Sequence, residues 1–77
     1  MALAEVITPE WTMGERLAKA RKLAGIDQDE MAERFGKSRP TISAWESDKS
    51  QPRNMLAVVD KWSEITGVDP AWLLGFR

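Results

Sequence analysis

Apolar residues in the first third of the chain recur at intervals that fit one face of a helix. The intervals are four, three and four, at Met13, Leu17, Ala20 and Ala24. Residues 12–15, TMGE, have the form of a capping box, in which a threonine oxygen and a glutamate carboxylate each accept a hydrogen bond from an amide at the helix start. Gly25 can adopt the left-handed conformation that ends a helix. The pattern therefore predicts a first helix that ends at Gly25.

Two short helices should follow. Asp27 is a good N-cap for the second helix and Gly36 a good C-terminal residue, with an apolar face between them at Met31, Ala32 and Phe35. Ser38 should cap a third helix, and Pro40 is tolerated in its first turn because the amide that proline lacks would have no partner there. Gly36 is thus expected to form the turn between these two helices.

The last third of the chain predicts two more helices. Residues 48–52, DKSQP, are typical of a turn and loop. A longer amphipathic helix ending at Gly67 is indicated by Met55, Val58, Val59, Trp62 and Ile65. Asp69 and Pro70 should start a short fifth helix from Ala71 to Leu74. With no strand pattern and no internal repeat, the predicted fold class is all-α with five helices.

The second and third helices have the arrangement of a helix-turn-helix, predicted here at residues 27–48. In that geometry one helix can lie in the DNA major groove while its neighbour crosses the backbone. Ile42 and Trp45 are three residues apart and should anchor the third helix to the core. The candidate functional positions are then the outward ones of the same helix.

Composition restricts the chemistry that this chain can perform. At 77 residues it fits one domain, and it contains neither cysteine nor histidine. It therefore lacks thiolate nucleophiles, the commonest metal ligand and the usual general base near neutral pH. We expect no enzymatic activity, no cofactor and no metal site. The N-terminus lacks the pattern of a signal peptide and no apolar run could span a bilayer, which favours a cytoplasmic protein without a membrane partner.

The charge distribution is more informative than the net charge of −1. Between Trp11 and Arg53, nine Lys and Arg residues face seven Asp and Glu residues, and the acidic excess lies at the two ends of the chain. Residues 37–53 carry four basic and two acidic side chains. This segment can form a local basic patch, although a mixed solvated surface would fit the same charges.

The stretch QDEMAERFGKSRPTISAWE, residues 28–46, resembles the helix-turn-helix of the lambda-type phage repressor and Cro family. The likeness consists of a Gln at the start of the first helix, a central Ala, a turn Gly and a closing Ile-Ser-x-Trp-Glu. It is specific, because it covers nineteen consecutive positions, and it extends from Met13 to the DPAWLLG sequence near the C-terminus. The resemblance implies a lambda-repressor-like five-helix domain over residues 12–77 that binds double-stranded operator DNA.

Residues 1–11 lie outside the resemblance, and their role is open. Glu5 and Glu10 make a minor-groove arm a poor interpretation, because carboxylates repel the phosphates that flank the groove. A disordered tail or a packing strand are the remaining alternatives.

The resemblance places the candidate base contacts on the outward side of the third helix. Arg39 is the strongest candidate, since a guanidinium can donate two hydrogen bonds to guanine O6 and N7, and a phosphate contact is its alternative. Ser43 could reach a base edge. Pro40 and Ala44 can offer only apolar contact to a thymine methyl group, where other family members commonly carry polar side chains. Direct readout should therefore be sparse, and DNA shape should supply more of the specificity.

The candidate phosphate contacts surround that helix and are Gln28, Lys37, Ser38, Thr41, Lys49 and Arg53. Gln28 matches the family residue that binds a phosphate and braces the recognition helix. Arg53 is the best basic candidate, because Pro52-Arg53 recurs in the family at a loop that meets the DNA backbone. For Lys37 and Lys49 a solvated surface position is the alternative. Asp27 departs from the family pattern. Its carboxylate should repel a nearby phosphate and so weaken docking on DNA.

The resemblance also pairs Glu46 with Arg21 of the first helix in a structural salt bridge. The alternative is an unpaired surface charge at Glu46.

These features together indicate a Cro-type phage or prophage transcriptional repressor that blocks promoter access and binds no small-molecule substrate. One short recognition helix touches little DNA, so a homodimer on an inverted repeat is expected. The predicted apolar contact comprises Trp72, Leu73, Leu74 and Phe76. The alternative function is an antitoxin or another protein-binding helix-turn-helix module that regulates its own operon.

Overall fold

The computed structural model describes residues 9–76, and this part of the chain is entirely helical apart from turns and loops. The elements are α1 (Met13–Leu23), α2 (Gln28–Phe35), α3 (Arg39–Glu46), α4 (Met55–Thr66) and α5 (Pro70–Leu73). The predicted all-α class with five helices is confirmed.

The helices begin where side chains satisfy their first amides. Thr12 Oγ1 accepts from the Glu15 amide at 3.1 Å, and Glu15 Oε1 accepts from the Thr12 amide at 2.8 Å, which completes the capping box. Asp27 caps α2 through the Glu30 amide at 2.8 Å. Ser38 caps α3 in the same way. Local sequence therefore determines these three helix starts.

One core joins all five helices. Its buried members are Leu17, Ala20, Met31, Ala32, Ile42, Trp45, Val59, Trp62 and Leu73. Trp62 is fully buried at its centre, and its indole N–H donates to the Leu17 carbonyl oxygen at 3.0 Å. This hydrogen bond compensates the indole for loss of water and fixes α4 against α1.

The end of the first helix is as predicted, because α1 ends at Leu23 and Gly25 follows its C-cap in a left-handed conformation with a φ of 72°. Ala24 differs from prediction, since it is an exposed C-cap rather than a member of the buried apolar face. The Ile26 amide donates to the Arg21 carbonyl at 3.1 Å and closes the helix, and the Ile26 side chain packs against the core. The fifth helix begins and ends one residue earlier than predicted, at Pro70 and Leu73.

The predicted apolar surface at the C-terminus needs a correction. Leu73 is fully buried in the core, because α5 packs against both α1 and α4, and it cannot contribute to an exposed contact. Trp72 and Leu74 are half-buried, and Phe76 is exposed. The surface that remains is therefore smaller and more aromatic than the sequence indicated.

Most of the N-terminal segment, including Glu5, lies outside the described residues, so the alternatives of a tail or a packing strand stay open for residues 1–8. Residues 9–11 have no regular structure, and Glu10 is exposed. Trp11 packs edge-on against Trp72, with ring centroids 6.0 Å apart. No helix among residues 9–76 has the length and apolar character that crossing a membrane requires.

Candidate nucleic-acid interface

A left-handed glycine makes the tight turn between α2 and α3. Gly36 has a φ of 63°, and the next amide, that of Lys37, donates back to the Ala32 carbonyl at 2.9 Å. A side chain at Gly36 would meet no neighbouring atom, so the requirement for glycine is conformational rather than steric. Ala32 is buried, and its small side chain suits the close packing of α2 against α3.

The third helix has one buried and one exposed face. Ile42, Trp45 and Glu46 are buried against the rest of the domain. Arg39, Pro40 and Ser43 are exposed on the opposite side, and Thr41 and Ala44 are half-buried between the two faces. Three of the four predicted base-contacting residues are thus exposed, and the fourth, Ala44, is half-buried.

Arg21 and Glu46, which the family resemblance pairs, form a bidentate ion pair. Arg21 Nε lies 2.7 Å from Glu46 Oε2, and Arg21 Nη2 donates to Oε1 at 2.9 Å. The two side chains are only 9% and 6% exposed. Arg21 Nη1 donates to the Ile26 carbonyl at 2.9 Å, so the buried guanidinium is also bonded on its third nitrogen. The pair joins α1 to the C-terminal end of α3.

Gly14, the second residue of α1, allows that helix to approach α3 closely. A Cβ atom at Gly14 would lie 2.5 Å from the Glu46 carbonyl oxygen and 2.6 Å from that of Trp45. Both contacts are with backbone, which cannot move aside without displacing α3. Sequence reasoning missed this contact, and its signal was a glycine inside a helix, where glycine costs about 1 kcal/mol relative to alanine.

Asp48 makes a second unpredicted connection between α1 and the end of α3. It adopts a left-handed conformation with a φ of 61°. Its carboxylate accepts from the Gly14 amide at 2.9 Å and from the Thr12 hydroxyl. A carboxylate at a helix N-terminus satisfies amides that have no partner within the helix. Asp48 therefore anchors the turn after α3 to the start of α1.

A further chain of contacts leads from the buried ion pair to the exposed face of α3. Gln28 Nε2 donates to Glu46 Oε1 at 3.0 Å, and Arg39 Nε donates to Gln28 Oε1 at 3.4 Å. The same Arg39 nitrogen lies 3.9 Å from Asp29 Oδ1. Sequence reasoning missed Asp29, because a surface carboxylate carries no signal of its partner.

The predicted phosphate contacts differ in exposure, and two of them, Gln28 and Thr41, are half-buried. Ser38, Lys37, Lys49 and Arg53 are exposed. Lys37 and Arg53 line one groove of about 370 Å³, although they lie in different turns of the chain. Phe35 and Trp45 form the aromatic wall of this groove, with ring centroids 5.8 Å apart. Gln51 and Asn54, which were not singled out from the sequence, line it as well.

A comparison with protein families supplies the identity of this arrangement. The model of a helix-turn-helix domain matches residues 14–75. The chain belongs to the helix-turn-helix domain family. The match covers all five helices except the first residue of α1, and it supports a DNA-binding regulator. A search of curated proteins found no match to this chain.

The helix-turn-helix domain holds no cluster of metal ligands within the described residues. No group of three or more carboxylate side chains among residues 9–76 is arranged to bind a metal ion. The chemistry that the exposed face offers is hydrogen bonding and positive charge.

Proposed function

We propose that this protein is a sequence-specific transcriptional repressor of the Cro type, which binds a double-stranded operator in the bacterial cytoplasm and blocks promoter access. The observation that carries the proposal is the division of α3 into a face fixed in the core and a face whose side chains are exposed. A helix held in this way can enter the major groove without rearranging. The family match supports the DNA-binding part of the proposal.

Base readout begins with Arg39, the first residue of α3, which donates to guanine O6 and N7. Ser43 lies one turn further along the same exposed face and contacts a base edge. Pro40 and Ala44 contact thymine methyl groups. Because only two of these four side chains can form hydrogen bonds, sequence-dependent DNA shape supplies part of the specificity.

Phosphate contacts fix the register of α3 in the groove. The proposed contacts are Gln28, Lys37, Ser38, Thr41, Lys49 and Arg53. The groove shared by Lys37 and Arg53 supports this assignment for these two residues, because the two cations can act on the same stretch of backbone. The side-chain amide of Gln28 contacts both Glu46 and Arg39. Gln28 therefore braces Arg39, and it contacts a phosphate from the same position.

The protein binds as a homodimer on an inverted repeat. Two copies of α3 separated by about 34 Å, one turn of the duplex, reach adjacent major grooves on the same side of the DNA. The exposed ring of Phe76 and the half-buried side chains of Trp72 and Leu74 form the apolar contact between the copies. Leu73 supports this surface from within the core.

A protein-binding regulator of the antitoxin type is the second candidate, and one observation favours it. A cleft of about 310 Å³ is lined by Trp11, Trp72, Phe76 and Arg16, on a part of the surface formed by the two ends of the domain. Aromatic and arginine side chains are typical of protein interfaces. Such a partner would occupy the surface that the first candidate assigns to the dimer.

Selection of binding sites from random duplex DNA separates the two candidates. The repressor proposal predicts enrichment of an inverted repeat and two protein chains per selected duplex in analytical ultracentrifugation. Failure to enrich any sequence would contradict it and favour the protein-binding candidate. Enrichment of a site without inverted symmetry, with one chain bound, would retain sequence-specific binding and overturn the dimer.

A further inference from the structure

Asp29 faces the residue that is proposed to read the DNA. It is the second residue of α2, its side chain is 75% exposed, and its Oδ1 atom lies 3.9 Å from Arg39 Nε. Gln28 Oε1 lies 3.4 Å from the same nitrogen. Within residues 9–76, the hydrogen bonding of the Arg39 side chain is confined to Nε. The Nη1 and Nη2 end of the guanidinium is thus the end available to DNA.

The neighbouring carboxylates at this end of α2 have other partners. Asp27 accepts from the Glu30 amide at 2.8 Å and caps the helix. The carboxylate of Glu30 is paired with Arg34 at 2.9 Å. Among these three acidic residues, Asp29 is therefore the one placed beside Arg39.

We infer that Asp29 is a positioning residue for Arg39 and raises sequence specificity by lowering affinity for DNA in general. The inference rests on the proposed function. A guanine edge requires two hydrogen bonds in one plane, which Nη1 and Nη2 can donate while Nε stays beside Gln28 and Asp29. A phosphate requires only positive charge nearby, and the Asp29 carboxylate offsets that charge. Every DNA sequence offers phosphates, whereas only some offer guanine at this position. Asp29 therefore weakens the contact of Arg39 with a phosphate more than its contact with guanine.

The chain provides a matched control for this inference. Asp29→Asn and Asp27→Asn remove the same charge from the same end of α2, and asparagine retains the capping ability of aspartate at Asp27. Only the first substitution alters the neighbour of Arg39. Dissociation constants would be measured for both variants on the selected site and on an unrelated duplex, at several salt concentrations.

Asp29→Asn should tighten binding to the unrelated duplex by about two- to fivefold, the range of a surface ion pair, and should lower the ratio of specific to non-specific affinity. The slope of log K against log salt should steepen by up to about 0.9 as Arg39 engages a phosphate. Asp27→Asn should change both duplexes alike and leave the ratio unchanged.

Repeating Asp29→Asn in an Arg39→Ala background tests whether the effect passes through Arg39. The change in the ratio should then disappear. The inference would be overturned if Asp29→Asn and Asp27→Asn lowered the ratio of specific to non-specific affinity equally. It would also be overturned if the effect of Asp29→Asn persisted without Arg39. In both cases the wild type would still discriminate between sequences. If the wild type showed no sequence preference, the proposed function would fail, and the role of Asp29 would fail with it.

Discussion

The two faces of α3, a helix of eight residues, differ in burial and in their contacts with the rest of the protein. The inner face is surrounded by the protein, with Ile42 fully buried and Glu46 in a bidentate contact with Arg21. The outer face contacts little within the described part of the chain, and Arg39 is 64% exposed there. A substitution on the inner face should therefore change stability, and one on the outer face should change only DNA binding.

The difference shows how a small domain can hold an exposed helix face in a fixed position. Contacts hold α3 at both ends. Arg21 and Gln28 both donate to Glu46 at its C-terminal end, where the backbone of α1 also approaches closely at Gly14, and Gln28 accepts from Arg39 at its N-terminal end. Little conformational freedom is then left for binding to remove, which reduces the cost of association. Substitutions on the two faces test this separation of roles.

Breaking the buried ion pair should have the largest effect on folding. Glu46→Gln or Arg21→Met should lower the free energy of unfolding by about 3–5 kcal/mol, because one buried charge loses its partner. The control is Arg34→Ala, which breaks an ion pair that is about half exposed and should cost at most about 1 kcal/mol. Urea unfolding measures all three. Additive losses in the Arg21 and Glu46 double variant would mean that these two charges do not interact.

Adding one methyl group at Gly14 should destabilise the domain although it improves helix propensity. Gly14→Ala places a carbon atom about where the Glu46 and Trp45 carbonyl oxygens now approach, and overpacking of this kind costs about 1–3 kcal/mol. Thermal unfolding monitored by circular dichroism measures the loss. Ala18→Gly is the opposite change on α1, where removal of a methyl group should destabilise by about 1 kcal/mol through lower helix propensity. A more stable Gly14→Ala variant would show that the contact between α1 and α3 is loose.

On the outer face, Arg39→Ala should leave stability within about 0.5 kcal/mol of wild type, as for most surface substitutions. It should weaken specific DNA binding by about 1–3 kcal/mol and relax the preference at one base pair. Binding titrations on the selected site and on single-base variants test this. An equal loss on every sequence would instead make Arg39 a phosphate contact.

Arg53→Ala should produce the smallest and least selective change. Loss of one phosphate contact should weaken binding to all sequences and reduce the salt slope by about 0.9. Titrations from low to moderate salt would show the change in slope. Asn54→Ala removes the neighbouring N-cap without removing a charge, so its salt slope should match that of the wild type. A sequence-dependent loss in Arg53→Ala would place that side chain on a base.

Some of the candidate site was predictable because its signals are local. The turn at Gly36, the caps at Asp27 and Ser38 and the inward positions of Ile42 and Trp45 depend on residues within one or two helical turns. The pair formed by Arg21 and Glu46 was available only through resemblance to a family. Nothing in the spacing of these two residues, 25 positions apart, indicates contact.

The sequence by itself determined the helices and their caps, because hydrogen bonding and apolar periodicity act between residues a few positions apart. The tertiary structure decided which residues meet across the domain. It placed Gly14 against the backbone of α3, bonded Asp48 to an amide 34 positions away and buried Leu73 rather than exposing it. These contacts join segments that are distant in the chain, so they exist only once the helices pack on a shared core. The position of the Asp29 carboxylate beside Arg39 also depends on tertiary structure, because it requires α2 to pack against α3.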